Sequence, residues 1–224
     1  MSAPAPSDFD LLAAWRAGDA AAADALVRRH YGSVLRFFEM RSRLAEDLTQ
    51  RTFLACVEGR ERFRGDASFR TYLFAIARRL LLRHLAEEGS ADRLSSFSGG
   101  PSAGTSVSVV VARQQEQRLL LAAMASLPED VQTLLVLHYW EGMRSREIGE
   151  IVEAPTSTVT TRLQRAREAL RQRVERLGAR QKAGAAVLSD LDGWTRSLAD
   201  PSAFAAIPSN LPAAVAQSMM RRRG

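Results

Sequence analysis

Residues 146–167 read REIGEIVEAPTSTVTTRLQRAR, and in this stretch two short periodic runs meet at a break. Ile148, Ile151 and Val152 give one short helix an apolar face, Glu153-Ala154-Pro155 interrupts it, and Val159, Leu163, Ala166 and Leu170 continue the stripe on a second helix. That spacing is helix-turn-helix geometry. Gly149 belongs to the same packing, since a tight helix crossing leaves room for little or no side chain. At about 100° per residue, the face opposite the second stripe carries Thr158, Thr161, Arg165 and Gln172, flanked by Ser157, Arg162 and Gln164. These are groups that hydrogen-bond base edges and phosphates in a major groove. An ordinary amphipathic helix with a solvated Arg-rich face explains part of the pattern. Spacing, turn and charge segregation together favour the groove-reading helix.

The charge pattern around this motif is uneven. Residues 113–161 hold four Arg against seven acids, whereas 162–176 hold six Arg against two Glu. One helix is therefore a basic surface within a chain of formal charge +6. Of the 31 basic residues 30 are Arg, which suits planar, bidentate contact with phosphate or guanine, although genome composition produces the same bias.

Working outward, helical spacing dominates and two-residue alternation is almost absent, so the expectation is an all-α protein. Towards the N-terminus, Leu11, Leu12 and Trp15, then Leu26, Val27, His30 and Tyr31, then Val34, Leu35 and Phe38 predict a helix pair broken at Gly18 and Gly32. A third run spans Ala45 to Glu58 and stops at Gly59, and a fourth spans Ser68 to Glu88. Residues 89–112 contain seven Ser and four Gly and read as a flexible tether. The expected organisation is a helical domain over 8–88, a linker over 89–112, a second helical domain over 113–177 and an extension over 178–224. That extension is weakly patterned, with short helices or disorder both open. It reads either as a solvated appendage or as a segment that folds back on a domain or supports an added partner contact, using Trp194, Phe204, Ile207 and Leu211.

Composition narrows the chemistry. No stretch reaches the roughly 18 apolar residues of a membrane helix, and the start MSAPAPSDFD lacks a basic-then-apolar leader pattern, so a cytoplasmic protein is expected. Cys56 is the single cysteine, which excludes an internal disulfide and a multi-cysteine zinc site. His30, His84 and His138 lack ligand-like spacing, and no Gly-rich phosphate loop is present, so neither a metal, a cofactor nor catalysis is expected.

A second constellation lies between Arg60 and Arg83, where seven Arg are interleaved with Phe63, Phe69, Tyr72 and Phe74. Basic side chains that track a backbone, beside rings that stack on bases, are what a single strand needs. Phe69 and Phe74 are assigned to the core, and Phe63 and Tyr72 are open to either role.

The stretch Glu46-Asp-Leu-Thr-Gln-Arg-Thr-Phe-Leu54, followed by Phe63-Arg-Gly-Asp-Ala-Ser-Phe-Arg-Thr-Tyr-Leu-Phe-Ala-Ile-Ala-Arg78, resembles region two of the bacterial extracytoplasmic-function (ECF) sigma factors. Leu127-Pro-Glu-Asp-Val131, His138-Tyr-Trp-Glu-Gly142 and Arg162-Leu-Gln-Arg-Ala-Arg167 resemble their region four. The likeness covers about 8–88 and 113–176 and implies a non-enzymatic promoter-recognition subunit of RNA polymerase. It implies docking on the clamp helices of the β′ subunit through Asp47, Leu48, Gln50 and Phe53, with the β subunit a further partner. Melted minus-ten strand would be held by Phe63, Arg64, Ser68, Arg70, Tyr72, Arg79 and Arg83. Duplex at minus-35 would be read by Ser157, Thr158, Thr160, Thr161, Arg162, Gln164 and Arg165. An anti-sigma protein is a candidate partner.

Four positions depart from the family pattern. Arg79 stands where Asn is common, Thr160 replaces a basic residue, Glu153 replaces the turn Gly, and Arg144 replaces a capping Ser, with Ser145 as the alternative cap. The competing function is a stand-alone helix-turn-helix regulator, which leaves residues 46–85 without a role.

Overall fold

A computed structural model describes residues 5–59, 63, 65–88, 107–178 and 182–198, and divides the chain into two compact units. Every regular element among the described residues is helical.

The first unit contains α1 (Asp8–Arg16), α2 (Ala20–Glu39), α3 (Ala45–Gly59) and α4 (Phe69–Glu88), each packed on its neighbour in sequence. Ser7 starts α1 by a capping box: its hydroxyl accepts from the Asp10 N–H at 3.2 Å, and the Asp10 carboxylate accepts from the Ser7 N–H at 3.0 Å. Gly18, at φ 104°, ends the first helix in a conformation that favours glycine, and Asp19 caps the second through the Ala21 N–H at 2.8 Å. Gly32 does not break the chain as its residue type suggests. It lies inside α2, where the flanking Tyr31, Val34 and Leu35 are all buried and tertiary packing offsets the roughly 1 kcal/mol helix cost of glycine. The core is aromatic at its centre: Phe37 meets Phe38 and Phe74 edge-on at 5.4 and 5.5 Å.

The second unit contains α5 (Val107–Ala125), α6 (Glu129–Leu135) running into a π-helical turn (Val136–Trp140), α7 (Ser145–Val152), α8 (Thr156–Gly178), α9 (Lys182–Ser189) and α10 (Leu191–Ser197). Helix α5 begins inside the stretch whose Ser and Gly content points to a tether, because Val107 to Ala112 is an apolar, glycine-free end of that stretch. Residues 89–106, the remainder of the expected tether, lie outside the described residues. Helix α8 packs against α5, α6, α7 and α9.

The beginning of the extension is part of this unit rather than a solvated appendage. Val187, Leu191 and Leu198 are buried, and α9 crosses the end of α8 at a glycine pair. A Cβ on Gly178 would lie 2.7 Å from the Gly184 Cα, and one on Gly184 would lie 2.6 Å from the Gly178 carbonyl oxygen, so the backbones meet at a distance that only glycine permits. Phe204, Ile207 and Leu211 lie outside the described residues.

Candidate nucleic-acid interfaces

In the second unit α7, the left-handed turn and the start of α8 build the helix-turn-helix. Ile148 and Ile151 of α7 and Val159, Leu163, Ala166 and Leu170 of α8 are buried. Glu153 makes the turn at φ 56°, ψ 48°, the only positive φ of a non-glycine residue among the described residues. Gly149 is needed for a different reason than a helix crossing: a Cβ there would come within 2.6 Å of the Ala154 carbonyl oxygen, in the turn itself. Arg144 occupies the cap position of α7, and Ser145 is already the first helical residue. Ser145 is therefore not the cap. The Glu147 carboxylate instead accepts from the Arg144 N–H at 2.9 Å, the reciprocal half of a capping box.

This frame leaves one row of α8 facing outward. Ser157, Thr160, Thr161, Arg162, Gln164 and Arg165 are exposed and Thr158 is half-buried. The Thr160 and Thr161 hydroxyls donate to the Thr156 and Ser157 carbonyls at 3.0 and 3.1 Å, which leaves their oxygens as acceptors on the surface. All seven residues assigned to the duplex from sequence thus lie on the first three turns of one helix.

Behind that helix, Asp192 of α10 joins two elements. Its Oδ1 accepts from the Tyr139 hydroxyl at 2.6 Å and its Oδ2 pairs with the Arg167 guanidinium at 2.5 Å. Burial, reinforced by the bond to Asp192, pushes the Tyr139 phenol well above its ordinary value. The indole N–H of Trp140 donates to the Thr195 carbonyl at 3.0 Å. Nothing in the sequence pairs Tyr139 and Trp140 with residues more than 50 positions away.

In the first unit, α3 and α4 flank a groove of about 600 Å³ lined by Ala55, Glu58, Tyr72, Ile76, Arg79, Leu80 and Arg83. Three residues assigned to a single strand, Tyr72, Arg79 and Arg83, are brought together here. Sequence reasoning missed Ala55, Glu58, Ile76 and Leu80, although their spacing places each on the groove-facing side of its helix. Two arginines, Arg79 and Arg83, and one acid, Glu58, are among the lining residues. Tyr72 also meets the half-buried Phe63 ring, with centroids 4.7 Å apart and planes tilted by 34°, and Phe69 meets Phe63 in an edge arrangement at 6.4 Å. Phe69 and Phe74 are core residues, as assigned. Ser68 is an exposed cap of α4, its hydroxyl accepting from the Thr71 N–H at 3.0 Å, and Arg70 is half-buried. Arg64 lies outside the described residues.

The four residues assigned to polymerase docking divide by depth. Leu48 and Phe53 are 2% and 1% exposed, with Phe53 stacked on Tyr31, so their side chains belong to the core and not to a contact surface. A helix has to bury one face to be held in place, and that requirement claims these two. Asp47 and Gln50 are only half-buried, and Asp47 pairs with the Arg51 guanidinium at 2.8 Å. His30 and His84 are buried, and no group of three metal-ligating side chains occurs among the described residues. Nor is any helix of the described residues long and apolar enough to cross a membrane.

Comparison with known proteins places both units. A family model described as Sigma-70 region 2 matches residues 25–90, one described as Sigma-70, region 4 matches 117–170, and together they span more than half of the chain. The chain is 29% identical over 141 residues to the ECF RNA polymerase sigma-E factor of Haemophilus influenzae, covering 58% of this chain and 75% of that one. It is 29% identical over 177 residues to the RNA polymerase sigma-H factor of Pseudomonas aeruginosa, covering 73% and 91%. Among solved structures it is similar to CnrH, determined in complex with the cytosolic domain of CnrY, with a TM-score of 0.53, 25% identity and coverage of 73% of this chain and 94% of that one.

Proposed function

We propose, for a chain that belongs to the sigma-70 family as an ECF sigma factor of RNA polymerase, that its two units divide promoter recognition between melted strand and duplex. Sigma factors are transcription initiation factors and not enzymes, so RNA synthesis belongs to the core polymerase that the chain joins. The observation that carries the division is the presence, in one chain, of two chemically different surfaces. Helix α8 offers an exposed Thr, Gln and Arg row of groove size, which suits intact duplex. The α3–α4 groove offers arginines near a tilted Phe63–Tyr72 ring pair, which suits unpaired bases.

In this reading Ser157, Thr158, Thr160, Thr161, Arg162, Gln164 and Arg165 read the minus-35 element, and Phe63, Arg64, Ser68, Arg70, Tyr72, Arg79 and Arg83 hold the minus-ten strand. The promoter-binding domains run over 8–88 and 113–177, and α9 and α10 of the extension pack on the second of them. Asp47 and Gln50 form the docking edge for the β′ clamp helices, while Leu48 and Phe53 set the position of α3 from the core side. The extension is a regulatory or supporting segment. The protein works in the cytoplasm, where core polymerase and promoter meet. A protein partner that holds the factor inactive is expected by analogy with CnrH, which was solved with the cytosolic domain of CnrY.

Reconstitution with core polymerase and mapping of transcript starts tests this reading. The expected result is start sites that share two sequence motifs at fixed spacing. Tight, sequence-specific duplex binding by the chain alone, without any polymerase-dependent starts, would instead establish the stand-alone regulator.

A further inference from the structure

Helix α1 lies outside every surface described above, yet it reaches the aromatic pair. Its start is fixed by Asp8, which pairs with Arg29 at 2.6 Å and with His30 at 2.7 Å, and its middle by the buried Leu11, Leu12 and Trp15. Its last residue, Arg16, projects to the loop between α3 and α4. There one guanidinium nitrogen donates to the Phe63 carbonyl oxygen, and the guanidinium carbon sits 5.9 Å from the Phe63 ring centroid. A single side chain thus holds both the backbone and the ring of Phe63.

The loop needs such a hold. Phe63 and residues 65–67 lie outside the helices, and Gly65 turns the chain at φ 84°. The Phe63 ring has Tyr72 against one side and the edge of Phe69 against another, both from α4. Both of these ring contacts come from α4, so Arg16 is the attachment that α1 adds. A platform that must receive a base gains from being fixed in advance, because ordering it on binding would cost affinity.

We propose that Arg16 is a positioning residue for the captured strand: it fixes Phe63 on Tyr72 so that the aromatic pair is preformed when unpaired bases arrive. This rests on the melted-strand reading of the first unit. It differs from a direct phosphate contact by Arg16, which would act independently of Phe63.

The test uses holoenzyme and a labelled non-template-strand oligonucleotide from a promoter mapped by reconstitution. Arg16→Ala should weaken oligonucleotide binding about tenfold, equivalent to about 1.4 kcal/mol, and leave core-polymerase affinity and minus-35 duplex contact unchanged. Arg16→Lys keeps the charge and loses the fork, and should retain part of the binding. It also keeps the test open if the alanine variant folds poorly. In the double variant with Phe63→Ala, Arg16→Ala should cost nothing further. If the two losses multiply, and Arg16→Ala also lowers the salt slope by about 1, Arg16 contacts phosphate and the positioning role is overturned. If Phe63→Ala weakens binding but neither Arg16 variant does, the positioning role alone falls. If Phe63→Ala is without effect, the melted-strand reading falls and this inference with it.

Discussion

Asp192→Asn is the substitution that most directly tests whether the extension is held on the second unit. In the native chain the Asp192 carboxylate serves the Tyr139 hydroxyl through one oxygen and the Arg167 guanidinium through the other. The Arg167 pair is half exposed on the arginine side, so its share is small, about 0–1 kcal/mol. The Tyr139 bond is to a charged acceptor and part-buried, a class of contact worth about 1.5–3 kcal/mol. Asparagine keeps an acceptor for Tyr139 but at neutral strength, and turns its amide donors on Arg167. A net loss of about 1–2 kcal/mol follows, which raises the population of the opened extension by a factor of about 5–30. Amide hydrogen exchange reads that population locally. Exchange in α9 and α10 should accelerate by this factor, while α1 to α4 stay unchanged. Tyr139→Phe should give a similar acceleration, and the two substitutions should be non-additive because both act on the same bond. The native contact also has a pH signature. Since the folded phenol titrates above its ordinary value of 10.0, docking is at full strength below that pH and is lost as pH rises through the raised value. Unaltered protection of α9 and α10 in Asp192→Asn would show that the contact contributes nothing to docking.

Three further outcomes follow from single positions. Glu153→Gly relieves a left-handed residue and should stabilise the second unit by about 1 kcal/mol, seen as a midpoint raised by about 4–8 °C in a thermal melt; an unchanged or lowered midpoint would count against strain at the turn. Burial lowers the His30 pKa more than Asp8 raises it, with Arg70 and Arg29 adding to the lowering, so its contribution is complete above pH 6.5 and is lost as pH falls below that value. Stability of the first unit measured from pH 7 to pH 5 should fall less steeply in His30→Asn than in the native chain. Burial pushes the Cys56 thiol up to about 12, so alkylation at pH 8 should require unfolding, and rapid labelling of the native chain would contradict its burial.

Much of the fold is legible in the sequence because it follows from local periodicity. The stripe Val159, Leu163, Ala166 and Leu170 specifies both the buried face of α8 and, by subtraction, the row that faces outward. The same logic misleads where one signal serves two ends. Leu48 and Phe53 match a docking motif, but the apolar character that makes the match is consumed by the core. Gly32 carries a break signal that neighbouring packing overrides. What stays hidden are contacts between distant positions. Arg16 reaches Phe63 across 47 positions, and Asp192 reaches Tyr139 across 53. Neither side chain stands out by type or spacing, and each acquires its role only when helix packing brings its partner near.

The docked extension changes how its removal should be read. An appendage tied on by a flexible link can be cut away without harm, and any change in transcription then reports regulation directly. Here the Trp140 indole N–H and the Tyr139 hydroxyl both take their partners from α10, and Gly178 is packed directly on Gly184. Truncation after Leu177 uncovers those donors and strips buried apolar surface from α5 and α8, on which α9 packs. Lower transcription by the truncated chain would therefore mix a lost regulatory contact with damage to α8, the helix proposed to read duplex. Asp192→Asn separates the two, because it loosens α10 while keeping every residue of the chain. If the loosened extension raises promoter-specific transcription, docking restrains α8; if it lowers it, docking supports the geometry of that helix.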